Sequence, residues 1–280
     1  MFIVEFVLLV FLISIFAGIF GSIVGLGGGV VLIPVLTIFM GVDIHFAIGA
    51  SIVAIIGTSS GSASTYVRDK MTNLRIGMFL ELGSVSGAIL GAAVAAYANS
   101  PVLEAIFGSI LLVSLVPMVM KIGEEIPQSP ELSGLSKRLG LTGSYTETDG
   151  RAVNYNATRP VEGLAGTAVA GVLSGLLGIG GGAFKVLSMD LGMKLPMKVS
   201  TTTSNFMIGV TAAASAGIYL ARGDVVPIII APVALGILIG AAIGARVLLR
   251  SKNTTVRKIF AIVLAIAAVQ MILGALGVPV

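Results

Sequence analysis

Lys185 lies three residues beyond a run of glycines and opens an apolar segment, in Gly180-Gly181-Gly182-Ala183-Phe184-Lys185. An ionisable side chain at membrane depth is costly and marks function by default. The glycines before it belong to a cluster, Gly178-Ile-Gly-Gly-Gly182, whose earlier copy is Gly25-Leu-Gly-Gly-Gly29. Glycine weakens helices, and bare backbone polar groups in hydrocarbon cost several kcal/mol each, so such clusters must line a cavity. A half-helix starting there offers unpaired N–H groups and about half a positive charge, and glycines let ligand oxygens approach the backbone. Lys185 adds a full charge, so the chemistry that suits the site is anion binding. The candidate ligands are Gly27, Gly28, Gly29, Gly180, Gly181, Gly182 and Lys185. Leu32 takes the lysine's place in the first copy, which makes a lysine-assisted site asymmetric. The competing reading pairs Lys185 with Asp190 or lets it snorkel to the membrane surface.

Hydroxyls and a carboxamide can replace water around an oxyanion. They are concentrated in Ser200-Thr-Thr-Thr-Ser-Asn205, with Ser51, Thr58, Ser59 and Ser60 in the first half. Ser51, Thr202, Ser204 and Asn205 complete the candidate set, against the alternative of capping and helix-to-helix hydrogen bonds. Arg246, one turn before a basic helix end, suits snorkelling better than a substrate path. Glu81 and Glu104, within two turns of helix ends, read as interfacial or paired, and His45 beside Asp43 reads as an exposed loop. One histidine and no cysteine give no metal site and no thiol chemistry. No paired carboxylates, no nucleophile beside a base and no Walker motif are present, so neither an enzyme nor a nucleotide or other cofactor is expected.

The elements that must hold these residues are membrane helices. The chain has 280 residues, 56% hydrophobic and only 11% charged, with a mean hydropathy of +1.07. A soluble domain carries roughly 25% charged residues. Apolar stretches near 2–24, 30–40, 47–67, 76–98 and 102–120 precede a polar stretch, and 163–177, 183–193, 199–221, 225–249 and 256–278 follow it. Several exceed the roughly 20 residues that cross a bilayer. The first lacks a basic start and a small-residue cleavage site, so it reads as a retained helix.

The order within the two halves is the same. Gly18, Gly83, Gly87 and Gly91 recur as Gly171, Gly236, Gly240 and Gly244, and Ser51 as Ser204, all 153 residues apart. The organisation is therefore a membrane repeat over 1–120, a polar connecting loop over 121–162 without a core of its own, and a second repeat over 163–280. Basic residues follow the third segment of the first half (Arg68, Lys70, Arg75) but the fourth of the second (Arg250, Lys252, Arg257, Lys258). If both loops are cytoplasmic, the repeats have inverted topology. Each repeat then has a Gly-interrupted helix pair followed by three transmembrane helices, in an all-α integral membrane protein. The basic residues are dispersed and form no nucleic-acid patch, although the formal net charge is +4.

Three stretches carry a resemblance: Ser174-Gly-Leu-Leu-Gly-Ile-Gly-Gly-Gly182, Lys194-Leu-Pro-Met-Lys-Val-Ser-Thr-Thr-Thr-Ser-Asn-Phe-Met-Ile-Gly209, and Gly21-Ser-Ile-Val-Gly-Leu-Gly-Gly-Gly-Val-Val-Leu-Ile-Pro34. They resemble the TauE/SafE sulfite exporter family of anion permeases over nearly the whole chain except 121–162. The resemblance implies a multi-pass permease of the cell (inner or plasma) membrane for sulfur oxyanions or organosulfonates. The family's proline after the glycine cluster is present as Pro34, but Leu187-Ser188 replaces it in the second copy. The expected function is a secondary transporter of a small sulfite-like oxyanion or an organosulfonate, bound at a midplane site between the repeats. The alternative is a Na+- or H+-coupled transporter that uses the glycine clusters as a cation site. Its expected partners are the small anionic substrate and the lipid bilayer, and a homo-oligomer is compatible with the sequence.

Overall fold

The structure is a computed structural model that describes residues 3–24, 27–68, 72–119, 134–146, 152–248 and 253–277. The first apolar stretch forms α1 (Ile3–Val24) and runs up to the first glycine cluster. The chain then starts again as α2 (Gly29–Pro34), which passes directly into a π-helical turn, Val35–Phe39. Three long helices follow: α3 (Ile44–Arg68), α4 (Leu74–Ala95) and α5 (Ser100–Val119). The polar stretch contributes α6 (Gly134–Leu139) and two short strands, β1 (Thr142–Thr146) and β2 (Ala152–Asn156). The second half begins with α7 (Pro160–Leu177) and restarts after its glycines as α8 (Gly182–Leu187), again continued by a π-helical turn, Ser188–Gly192. It closes with α9 (Met197–Arg222), α10 (Pro227–Leu248) and α11 (Asn253–Ala275). Among the described residues six helices, α1, α3, α4, α7, α9 and α10, are long and apolar enough to cross a membrane.

Both interruptions have the same backbone cause. The residue before each restart, Gly28 or Gly181, is left-handed, at φ 75° and 63°, a conformation that costs a side-chain-bearing residue far more than glycine. The absence of a proline from the second copy changes neither the length of the restarted helix nor its π-helical continuation. There the Ser188 hydroxyl donates to the Gly163 carbonyl at 2.9 Å, which ties the turn to α7. The end of that turn comes back to the start of α7: the Thr158 amide donates to the Met193 carbonyl at 3.0 Å. α7 and α8 are thus a hairpin whose outer ends meet.

Two glycine seams hold the bundle together. Gly83, Gly87 and Gly91 of α4 press on the carbonyls of Leu164, Ala168 and Val172 of α7, leaving no room for a methyl group. Gly236, Gly240 and Gly244 of α10 press in the same way on Phe11, Ile15 and Ile19 of α1, and each contact of one seam lies 153 residues from its counterpart. Such close backbone approach is how small residues drive helix packing in lipid, where the hydrophobic effect is silent. Positions rise together along both seams, so each pair is parallel. α3 and α9 instead cross the centre antiparallel. Gly49 near the start of α3 abuts Asp224 beyond the end of α9, and Thr72 beyond α3 donates to the Thr202 carbonyl at the start of α9.

The polar stretch departs from the expectation of an all-α chain. β1 and β2 pair antiparallel, Thr142 opposite Asn156, and Tyr145, Tyr155, Leu141 and Ala157 are buried with Ile76, Met193, Leu195 and Val199. Asn73 joins hairpin and bundle: its side chain accepts from the Ile76 amide at 3.1 Å to cap α4 and donates to the Tyr155 hydroxyl at 3.0 Å. The aromatic residues in an otherwise polar run were the sequence signal for this docking.

Candidate functional site

The two glycine clusters come together. The Ser51 hydroxyl donates to the Gly178 carbonyl at 2.5 Å, and a methyl group on Gly29 would strike both of those atoms. Gly27 and Gly180 are flanked by the same two side chains, Ile55 of α3 and Ile208 of α9, themselves 153 residues apart. Ser204 donates to the Gly182 carbonyl at 3.1 Å, and the Thr58 hydroxyl, 2.9 Å from the Ala54 carbonyl of its own helix, lies 3.2 Å from the Gly27 carbonyl. The hydroxyls of the crossing helices thus reach carbonyls of both glycine clusters, Gly178 at the open C-terminal end of α7 among them. Ile55 and Ile208 are buried in the same aliphatic cluster. A narrow cavity beside the second cluster is lined by Val30, Leu111, Ser114, Ile179, Gly182 and Phe184.

The structure thus gathers Gly27, Gly29, Ser51, Gly180, Gly182 and Ser204 around one contact. Gly28 and Gly181 are turned away, Gly28 against Ala17 of α1 and Gly181 against Ala170 of α7, where they serve the turn. Asn205 is buried next to Ser204, and its backbone carbonyl accepts from Ser59 at 2.6 Å. Thr202 stands apart: its hydroxyl donates back to the Lys198 carbonyl at 3.0 Å within its own helix, toward the β-hairpin end of the bundle. Arg246 lies where the structure describes no side chain.

Lys185 is fully buried and faces neither Asp190 nor the surface. Its ammonium donates to the Thr211 hydroxyl of α9, one turn beyond Ile208. Thr211 lies 3.2 Å from both carboxylate oxygens of Glu81 on α4 and 2.9 Å from the Ser84 hydroxyl. Glu81, read from sequence as interfacial or paired, is 4% exposed and is the acidic member of this group. The sequence reading missed Thr211 and Ser84. A signal for Glu81 was present: Lys185 and Glu81 both break the repeat, standing where the other copy has Leu32 and Ala234.

At the opposite end of α3, His45 is bound where an exposed loop was expected. It lies in the first turn of the helix; its ring is 2.8 Å from Asp43 and 3.1 Å from the Ala98 carbonyl. Burial alone would raise the Asp43 carboxyl. The His45 amide at 2.9 Å, the Ser100 hydroxyl at 2.8 Å and the His45 ring outweigh it, and the carboxyl is held below its ordinary range. This cluster ties the starts of α3 and α5 together at the face remote from the β-hairpin.

The family model described as sulfite exporter TauE/SafE matches residues 10–271. The chain is 30% identical over 275 residues to the probable membrane transporter protein YunE of Bacillus subtilis (strain 168), covering 96% of this chain and 97% of that protein. It is 26% identical over 240 residues to the probable membrane transporter protein YdhB of the same organism, covering 85% of this chain and 89% of the relative. No solved structure matches it.

Proposed function

Because the chain belongs to the sulfite exporter TauE/SafE family and is a multi-pass membrane transporter, we propose that it carries a small sulfur oxyanion such as sulfite, or an organosulfonate, through the contact between its two glycine clusters. The observation that carries this reading is the meeting of the clusters: Ser51 of the first half bonds the Gly178 carbonyl of the second, and Ile55 and Ile208 close over Gly27 and Gly180. An anion there would be held by the amides of the restarted helices, by the hydroxyls of Ser51 and Ser204, by the Asn205 carboxamide and by the Lys185 ammonium. Ile55 and Ile208, which flank both glycines, must move to admit it.

The two halves are read as inverted repeats. The antiparallel run of α3 and α9 and the reciprocal contacts 153 residues apart support a two-fold axis in the membrane plane, with each hairpin entering and leaving on one face. The face with the β-hairpin, Arg75, Lys194 and Lys198 is then cytoplasmic.

Flux of labelled sulfite and of methanesulfonate into proteoliposomes tests the substrate class directly. Lys185→Ala and Asn205→Ala are expected to slow it by about tenfold or more, the loss of one charge-assisted contact. Unchanged flux in both variants would overturn the site assignment.

A further inference from the structure

We propose that Glu81 is a proton-binding site, and that one proton enters it for each monovalent anion that engages Lys185; the coupling rests on the reading of Lys185 as an anion ligand. The geometry carries the argument. Glu81, Thr211 and Lys185 are 4%, 0% and 0% exposed and come from three elements: α4 and α8 both pack on α9, and the three side chains meet there. The ammonium stops at Thr211, so the two charges are bridged by a hydroxyl and do not touch as an ion pair. Thr211 accepts from Lys185, lies within hydrogen-bond distance of Ser84 and has one hydrogen to give. The Glu81 carboxylate must contest that hydrogen with the Met207 carbonyl at 2.9 Å. A buried carboxylate so thinly supplied with donors is held ionised chiefly by the lysine opposite it.

That balance changes when an anion arrives. Without substrate, Lys185 and Glu81 sum to zero. A monoanion on the ammonium leaves the buried group with a net negative charge, which a low-dielectric site strongly disfavours. A proton from the aqueous phase restores neutrality by forming an O–H bond on a Glu81 carboxylate oxygen, with no bond broken and nothing oxidised. Release of the anion returns the ammonium to Thr211 and drives the proton off. The repeat supports a paired role, since both charges vanish together in the equivalent corner, where Leu32, Thr58 and Ala234 stand.

Other titratable groups on the packed elements are Arg75 on α4, Glu162 on α7, Lys198, Tyr219 and Arg222 on α9, Asp190 beside α8, and Glu104 on α5. Among the described residues the charge that acts on Glu81 is Lys185, and the charge that acts on Lys185 is Glu81.

Two measurements on the full-length protein decide this. In pH-difference infrared spectra, a protonated-carboxyl band should grow on acidification, grow further when methanesulfonate, a permanent monoanion, is added at fixed pH, and be missing from Glu81→Gln. In proteoliposomes, accumulation driven by a pH gradient should fall at least about tenfold more in Glu81→Gln than anion exchange does, a ratio that general damage would leave unchanged. The same band in wild type and variant, or the same pH dependence of flux, overturns the proposal. If Glu81→Gln does not fold, Lys185→Met takes its place. Its thermal stability should be lower than wild type at neutral pH, recover as the pH falls and be restored by the double variant Lys185→Met/Glu81→Gln; a deficit independent of pH overturns the proposal. If no anion crosses with any protein, the anion reading fails, and the infrared comparison alone then decides Glu81.

Discussion

Gly29 shows how little space the central contact leaves. A methyl group there would meet the Ser51 hydroxyl, which would have to give up its bond to turn away, and the Gly178 carbonyl, which is backbone. Gly29→Ala is expected to cost about 1–3 kcal/mol, the usual range for overpacking a tight core. Gly61, also in a helix, has open space at the same radius. Gly61→Ala should gain up to about 1 kcal/mol from helix propensity. Thermal unfolding in detergent separates the two, and similar shifts for both would refute the packing argument. Residue type, costly in lipid, drew attention to the glycines and Lys185, and the 153-residue spacing to the glycines, Ser51 and Ser204. Thr211 was not legible, since a threonine in a membrane helix is ordinary until its neighbours across the interface are known. Thr202 misled for the same reason: a hydroxyl-rich run does not say which members turn back on their own helix.

At the level of elements, the helices, their order and the two breaks could be read from apolar lengths and glycine positions. Which helix packs on which could not, because a column of glycines announces a close neighbour without naming it. The seam between α4 and α7 offers a test. Gly87→Leu must push its side chain into the Ala168 carbonyl and should separate the two helices, costing about 1–3 kcal/mol or more; a melting temperature equal to wild type would refute the seam.

The loop before α3 carries a pH-dependent brace. Because the folded state holds the Asp43 carboxyl below its unfolded value, its contribution to stability is present above the unfolded carboxylate range and is lost as the pH falls through the folded value. The melting difference between wild type and Asp43→Asn should therefore be largest near neutrality and shrink in acid. A constant difference would show that the brace does not depend on charge.

The orientation of the whole molecule follows from where its polar ends lie. The chain has no cysteine, so single introduced thiols report sidedness without background. Tyr97, 92% exposed between α4 and α5, lies at the end of the bundle away from the β-hairpin, and Lys137 lies in α6 close to the hairpin. Tyr97→Cys should react with an impermeant maleimide on intact cells, and Lys137→Cys only after the membrane is opened; the reverse pattern would invert the assignment. The bilayer class was visible from composition alone. The docked hairpin was obscured by the polarity of its surroundings.

The seams also bear on how such a chain is made. α1 finds its partner in α10, and α4 finds its partner in α7, so each half of the chain emerges from the ribosome with a glycine-faced helix bared to lipid. Neither half holds the mates of its own seam helices: α4 meets α7 just past the polar stretch, and α1 waits for α10 in the last third of the chain. Two fragments cut at the polar stretch and made together in one cell should therefore recombine, whereas either made alone would be recognised as an orphan and degraded.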